Sequence, residues 1–438
     1  MLRPISPSDA QRVARTFMPL VGLAAVLGGS VFWARRVGLL DPETYWGPYT
    51  ALVRAAEGRR GDFDAYFEIL RFGSSLHQLD GALWLTKLAK EAVWLALVLL
   101  ALSQVGRVRL PRAFTAIYLG LFALSGGSAI SALLHGRWID VLAGGRVFGS
   151  WVLGASGTAI VSKGVLHVLA VVCAWTLVVQ GLLAPFEVWN GLTMYSMELF
   201  GTGIARIVGT FNLPISLGTF VVVTWAVALC WGSFSRRTMA WLTALVLALL
   251  VLNASATAWV SFGAAAVVRW RGRLGERGRV TLLLSVMPIG ILLWLGLPTL
   301  TGRPDIHDSL WGRIQPVHEY AVDHLSPTEI AFGRSFGLGT NASWTMTHSA
   351  EALQRQVVPD RPVGDSMPAT LLWQVGLIGL VLAYGACGLA LQRDASAQPI
   401  GVALLVASLA VNITELFPVN LILGLWLAHA AAEREVPG

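Results

Sequence analysis

Five side chains between residues 206 and 365 have the types needed for chemistry on a phosphate ester. Arg206 precedes a glycine- and proline-containing turn in "ARIVGTFNLPISLGTF", and Arg313 sits in "SLWGRIQPVHEYAVDHL". Arg334 lies in "FGRSFGLGT", His348 in "SWTMTH", and Asp365 in "VGDSMPATLLWQVGLIGL". A guanidinium stays charged at any working pH and grips phosphate oxygens through a planar, two-pronged fork. Several of them converging can neutralise the charge growing on a phosphate leaving group without a metal ion. A carboxylate such as Asp365, or the imidazole of His348, can then take the proton of an attacking hydroxyl. Trp311 and Trp344 supply flat apolar faces on which a sugar ring could rest, although tryptophan also gathers at membrane interfaces for its own reasons. The assembled chemistry is transfer of a group from a phosphate carrier to a hydroxyl.

Each of these residues also has a plainer reading. Arg146, in "GGRVFGSWVLGA", falls at the outer end of a predicted fourth span. There it either snorkels to the interface or meets a phosphate. The turn after Arg206 opens a span, and free amides at a helix N-terminus beside an arginine form a good anion site. The Asp365-Ser366 pair can cap the helix that follows. His318 and His324 read as a solvated helix face, and "SPTE" at 326–329 reads as a capping box. In "GDFDAYFEIL", Asp62 and Asp64 form a D-x-D pair that can hold a divalent metal in some glycosyltransferases, or simply mark a charged helix face. No other metal, nucleotide or nucleophile motif is present, so the expectation is a metal-independent reaction without a cofactor.

These residues are carried by an apolar chain. Apolar residues make up 55% and charged residues only 13% of the sequence, with a mean hydropathy of +0.64; soluble domains usually carry about a quarter charged residues. Several apolar runs exceed the roughly 18 residues that mark a bilayer span, and in lipid such runs close their backbone hydrogen bonds as helices. The predicted fold is therefore all-α: a polytopic helical membrane protein with about twelve spans. Their cores fall at 16–34, 90–106, 113–133, 147–162, 164–184, 216–233, 238–253, 255–269, 279–299, 368–391, 398–412 and 417–432. The transmembrane domain is expected to run over 1–432 as a single unit, without a detectable internal repeat.

The net charge of +7 does not point to nucleic acid. The arginines crowd into short loops such as "GRVRLPR", "SFSRR" and "RWRGRLGERGR", the pattern that keeps loops on the cytoplasmic side. Both termini are then expected inside, and three segments outside: 35–89, 185–215 and the large loop 300–367, which carries short amphipathic helices. Cys173, Cys230 and Cys387 all lie in apolar runs and read as packing residues. Charge is concentrated in the external loops rather than in the spans, which favours chemistry over transport.

Taken in order, the motifs "GGR", "RIVGTFNLPISLG", "SLWGR", "FGRSFGLG", "DS" and "LLWQVGLIGL", with "TELFPVNLILGLWLA" near the end, resemble the O-antigen ligase and Wzy-type polysaccharide polymerase superfamily over roughly residues 144–432. The chain departs from that pattern in two places. Ala256 follows Ser255 where an arginine is common, and Asp365-Ser366 stands where ligases usually place His-Asn; the second departure favours polymerase over ligase. The resemblance implies an inner-membrane transferase whose donor is an undecaprenyl-pyrophosphate-linked oligosaccharide, with membrane lipid and a chain-length regulator as partners. Arg146, Arg206, Arg313 and Arg334 would face the pyrophosphate or glycan. The alternatives are an O-antigen ligase passing the chain to lipid A-core, a metal-dependent transferase centred on Asp62 and Asp64, and a lipid-linked oligosaccharide flippase.

Overall fold

A chain this apolar must satisfy its backbone internally, and it does so as helix. The computed structural model describes residues 6–36, 81–189, 207–211, 214–271, 325–340 and 366–432; among them every regular element is helical. In chain order these are α1 (Pro7–Arg36), α2 (Gly81–Leu102), α3 (Arg112–Leu134), α4 (Trp138–Ser156), α5 (Lys163–Trp189), α6 (Pro214–Trp231), α7 (Arg236–Asn253), α8 (Ala256–Arg271), the short α9 (Pro327–Phe332), α10 (Met367–Arg393), α11 (Gln398–Ser408) and α12 (Val419–Ala432). Four of the described helices, α3, α5, α7 and α10, are long and apolar enough to cross a bilayer by length and composition. Each predicted span that falls on described residues coincides with a helix. The span 279–299, the segments 37–80 and 190–206, and most of 300–365 lie outside the described residues.

Burial separates the helices into an inner and an outer set. Nearly every residue of α12 is buried, and Phe220 to Ala228 of α6 are fully buried. A helix apolar on all sides that is also covered on all sides belongs in the interior. Around these two, α4, α10 and α11 pack on α12, while α5, α7, α8 and α11 pack on α6. Small residues let the backbones approach, as membrane helices require: a Cβ on Gly424 would lie 2.8 Å from Leu153, and one on Gly149 would lie 2.7 Å from Trp94. The outward faces carry exposed Leu119, Trp175, Leu182, Trp241 and Val251. Apolar area of this extent around a bundle fits lipid rather than water.

The turns between helices sort into two ends. At one end Gln11 of α1 donates to the carbonyl of Ala159 between α4 and α5 (3.1 Å), Arg271 of α8 bonds Gln398 of α11, and His429 of α12 meets Asp394 (2.8 Å). Burial pushes the Asp394 carboxyl up, but hydrogen bonds from His429, Ser396 and the Ala397 amide outweigh it and hold the group below the ordinary value. Arg109, Arg112, Lys163, Arg236 and Arg269 belong to this same end, which makes it the basic end of the bundle. The opposite end holds the start of α10, the α3–α4 turn, the α11–α12 turn and the segment 207–211.

Two helix starts differ from the sequence reading. The fourth predicted span, 147–162, begins at Trp138 instead. Gly136 takes φ +71°, the amide of Arg137 reaches the Ala132 carbonyl and that of Gly136 the Leu133 carbonyl (2.9 Å each). This paired closure ends α3 and lets α4 start two residues later. Arg146 therefore stands in the middle of a helix and not at its end. The second predicted span, 90–106, begins earlier as well, at Gly81, so that Glu91 lies near the middle of α2.

Candidate functional site

The centre of the non-basic end is a broken helix. Inside α10, Gly376 has φ 69° and ψ −173°, which interrupts the helix one-third of the way along. A break frees carbonyls that must find donors, and non-helical backbone at membrane depth survives only where protein or a water-filled cavity covers it. Here the glycine-rich segment after α9 supplies the donors. The amides of Arg334 and Ser335 both reach the Trp373 carbonyl (2.8 and 3.4 Å), and the Ser128 hydroxyl of α3 donates to the Gln374 carbonyl (3.0 Å). The Gln374 side-chain amide in turn donates to the Leu338 carbonyl (3.1 Å). Two sequence motifs some forty residues apart, "FGRSFGLG" and "LLWQVGLIGL", are thus two halves of one structure.

Glycine is required where the halves touch. Gly337 has φ 82°, and a Cβ there would overlap the Asp140 backbone of α4; a Cβ on Gly376 would lie 2.3 Å from the Ala331 carbonyl. Gly337→Ala combines a strained conformation, worth roughly 1–3 kcal/mol, with that overlap. We expect the variant to show a lower melting temperature in detergent and to lose its function, as checked by thermal unfolding followed by intrinsic fluorescence.

The short helix α9 holds this segment from its other side. The Ser326 hydroxyl accepts from the Glu329 amide (3.3 Å) while the Glu329 carboxylate accepts from the Ser326 amide (2.8 Å), the capping box expected from "SPTE". The amide bond from Ser326 is the main cause holding the Glu329 carboxyl below its ordinary value; burial opposes this, and the Ser326 hydroxyl and Arg334 add to it. Arg334 lies with its Nε 3.6 Å from Glu329.

Arg146 is not a snorkelling arginine. Its Nε pairs with Glu91 of α2 at 3.0 Å, and one of its terminal nitrogens donates to the Glu415 carbonyl at 3.1 Å. The polar cluster continues through Asn412, whose amide donates to Thr370 of α10 and to the Glu415 carboxylate (3.0 Å each), and whose oxygen accepts from Thr414 (2.6 Å). Glu91, Glu415 and this turn were missed in the sequence, although an ionisable residue inside an apolar run, such as Glu91 in "LAKEAVWLALVLL", is itself a signal. The expectation that charge stays out of the spans is corrected by the same residues: the Glu91–Arg146 pair and the fully buried Glu187 all lie within helices.

The turn that follows Arg206 is held by buried side chains of neighbouring helices. Its amides are not available to a ligand: those of Val208 and Gly209 donate to the Glu187 carboxylate of α5 (3.1 and 3.0 Å), and that of Thr210 donates to the Gln180 side chain (3.1 Å). Asn253 of α7 donates to the Ile207 carbonyl (3.1 Å), and Gln180 donates to the Thr210 hydroxyl (2.7 Å). These bonds fasten the turn to α5 and α7, whereas the anion site expected from the sequence would use the amides at the start of α6. Arg206 itself lies outside the described residues, as do Trp311, Arg313, Trp344, His348, Asp365, Asp62 and Asp64. Of the predicted site residues, the described part of the structure holds Arg146, in the middle of α4 against Glu91, and Arg334, beside Glu329 of α9.

The helix cap at 365–366 belongs to Ser366, whose hydroxyl accepts from the Ala369 amide at 3.4 Å. The three cysteines are unpaired thiols, with Cys173 and Cys387 buried and Cys230 partly so, as packing residues would be. No protein-family model matches the chain, and no curated protein matches it.

Proposed function

We propose that the chain is a membrane glycan transferase, a polysaccharide polymerase. In this reading it moves glycan from an undecaprenyl-pyrophosphate-linked donor to a lipid-linked repeat unit at the non-basic, outward end of the bundle in a bacterial inner membrane. The observation that carries this reading is the broken helix α10 with its docked glycine-rich segment. It fixes, at one end of a membrane bundle, described parts of the loop that bears Arg313, His348 and Asp365, with Arg334 in the docked segment itself.

The reaction balances with these groups. The acceptor hydroxyl oxygen attacks C1 of the donor sugar through an oxocarbenium-like transition state. The C1–O bond to pyrophosphate breaks, and its electron pair leaves on undecaprenyl pyrophosphate. Arg206 and Arg313 stabilise that leaving charge, with Arg146 and Arg334 contributing to pyrophosphate and glycan binding; losing one preorganised donor of this kind typically costs about 2.7–4 kcal/mol. Asp365, or His348 in its place, accepts the hydroxyl proton, and Trp311 and Trp344 carry the sugar.

The test is reconstitution of the purified protein in proteoliposomes with undecaprenyl-pyrophosphate-linked repeat units. A ladder of longer lipid-linked glycans is expected, and it should form equally in EDTA. Loss of product in EDTA with recovery on adding manganese or magnesium would overturn the metal-free mechanism in favour of Asp62 and Asp64.

A second reading is favoured by one observation. The Glu91–Arg146 pair within the helices is the kind of charge that marks a path through a membrane, as a lipid-linked oligosaccharide flippase would need. In the same proteoliposomes, movement of the lipid-linked unit across the bilayer without any new glycosidic bond would select that reading.

A further inference from the structure

Beside the docked segment, the α3–α4 turn and α9 enclose a cleft of about 280 Å³ lined by Ser131, His135, Arg137, Glu329, Arg334 and Ser335. Two separate pieces of backbone bring three cationic groups to it. The closure at Gly136 sets His135 and Arg137 on either side of the α3–α4 turn, and the docking on α10 sets Arg334 opposite them. His135 is oriented by its Nδ1, which lies 2.7 Å from the Ser131 carbonyl, so Nε2 is the ring nitrogen left for a ligand. The lone carboxylate at the cleft, Glu329, is engaged by Ser326 and by Arg334.

The floor carries an independent mark. Ser335 is 3% exposed, and its hydroxyl has no hydrogen-bond partner. Buried hydroxyls nearly always find one, and an orphan calls for an explanation, a bound water, ion or ligand among them. An acceptor-rich ligand, held by arginines above and taking a hydrogen bond from a serine below, is a phosphate oxygen. The volume is slightly below the usual range for organic ligand pockets, which suits a phosphate or pyrophosphate group better than a glycan chain.

We propose that the cleft between the α3–α4 turn and the glycine-rich segment is a phosphate-binding site, with Arg137 and Arg334 as its cationic walls, His135 at its edge and the Ser335 hydroxyl as its floor. His135, Arg137 and Ser335 have no part in the transfer reading above; Arg334 is shared with it. Binding does not depend on transfer, so the two stand or fall separately.

The test uses the full-length protein in detergent, titrated calorimetrically with inorganic pyrophosphate in the absence of any glycan donor. Saturable binding is expected, and Arg137→Gln and Ser335→Ala should each weaken it about tenfold, the scale of one lost hydrogen bond to a charged group. Ser335→Ala removes a hydroxyl with no protein partner, so its melting temperature should match the parent protein, which separates lost binding from lost folding. Absence of saturable binding, or an unchanged affinity in the Arg137→Gln/Ser335→Ala double variant, overturns the site. Repeating the titration in nanodiscs identifies the natural source. Weaker pyrophosphate binding in phosphatidylglycerol than in phosphatidylcholine assigns the cleft to an anionic lipid headgroup; equal binding assigns it to a phosphate that arrives from outside the bilayer lipid.

Discussion

Asp365→Asn is expected to slow glycan transfer by roughly 10²–10⁴-fold, the usual reach of general-base catalysis, without lowering thermal stability. In the proposed mechanism capping and catalysis fall on different residues, which makes the separation possible. The start of α10 is closed by the Ser366 hydroxyl on the Ala369 amide (3.4 Å) and by the Thr370 hydroxyl on the Ser366 carbonyl (3.1 Å). Asparagine at 365 keeps the size and polarity of the neighbour to that cap and removes only the basic oxygen. Transfer rates in proteoliposomes and unfolding curves on the same preparations decide the matter. A variant that polymerises normally while His348→Ala does not assigns the base to the histidine. Full activity in both variants leaves leaving-group stabilisation by arginine as the whole of the catalysis.

The second large effect is expected at Glu187. Glu187→Ala removes the acceptor of two buried amides, Val208 and Gly209, and an orphaned buried donor costs roughly 1–3 kcal/mol. Two of them in one turn are enough to dislodge the segment that carries Arg206 into the bundle, so both stability and transfer should fall together. Both bonds end on the same carboxylate oxygen, and a glutamine carbonyl can occupy that place. Glu187→Gln is therefore expected to restore most of the stability that alanine loses. If glutamine is as damaging as alanine, the negative charge and not the hydrogen-bond acceptor is what the turn requires, and the account of Glu187 as an anchor fails. Size-exclusion profiles and melting temperatures of the three proteins distinguish these outcomes.

Much of the helical frame was legible because apolar run length carries it: each described helix other than α9 overlies a predicted span, and α9 follows from the S-P-T-E pattern. Its boundaries were less legible. The start of α4 depends on a left-handed glycine at 136 that hydropathy does not register, so Arg146 was read at a helix end when it lies mid-helix against Glu91. The anchoring of the turn after Arg206 was illegible for a different reason. A turn of that kind has free amides only if nothing in the fold claims them, and Glu187 and Gln180 are contributed by another helix. Tertiary partners of this sort leave no local trace. The pairing of the two glycine motifs was likewise invisible: each looked like a turn or a span, and their mutual need for glycine arises only from contact.

That contact has a consequence for how such a protein can change over time. The segment 331–340 closes its backbone on carbonyls released by the break at Gly376, and the break is covered by that segment. Neither part is complete alone, so the loop is not an interchangeable cassette set on an indifferent membrane scaffold. A graft that brought a foreign loop up to Ser366 would leave the recipient helix with carbonyls shaped for another partner. The unit that can be inherited or exchanged intact runs from α9 past Gly376, with the hydroxyl of Ser128 as the recipient's matching half. New acceptor specificities would then arise by substitution in the stretch between these anchors, while the anchors themselves stay fixed.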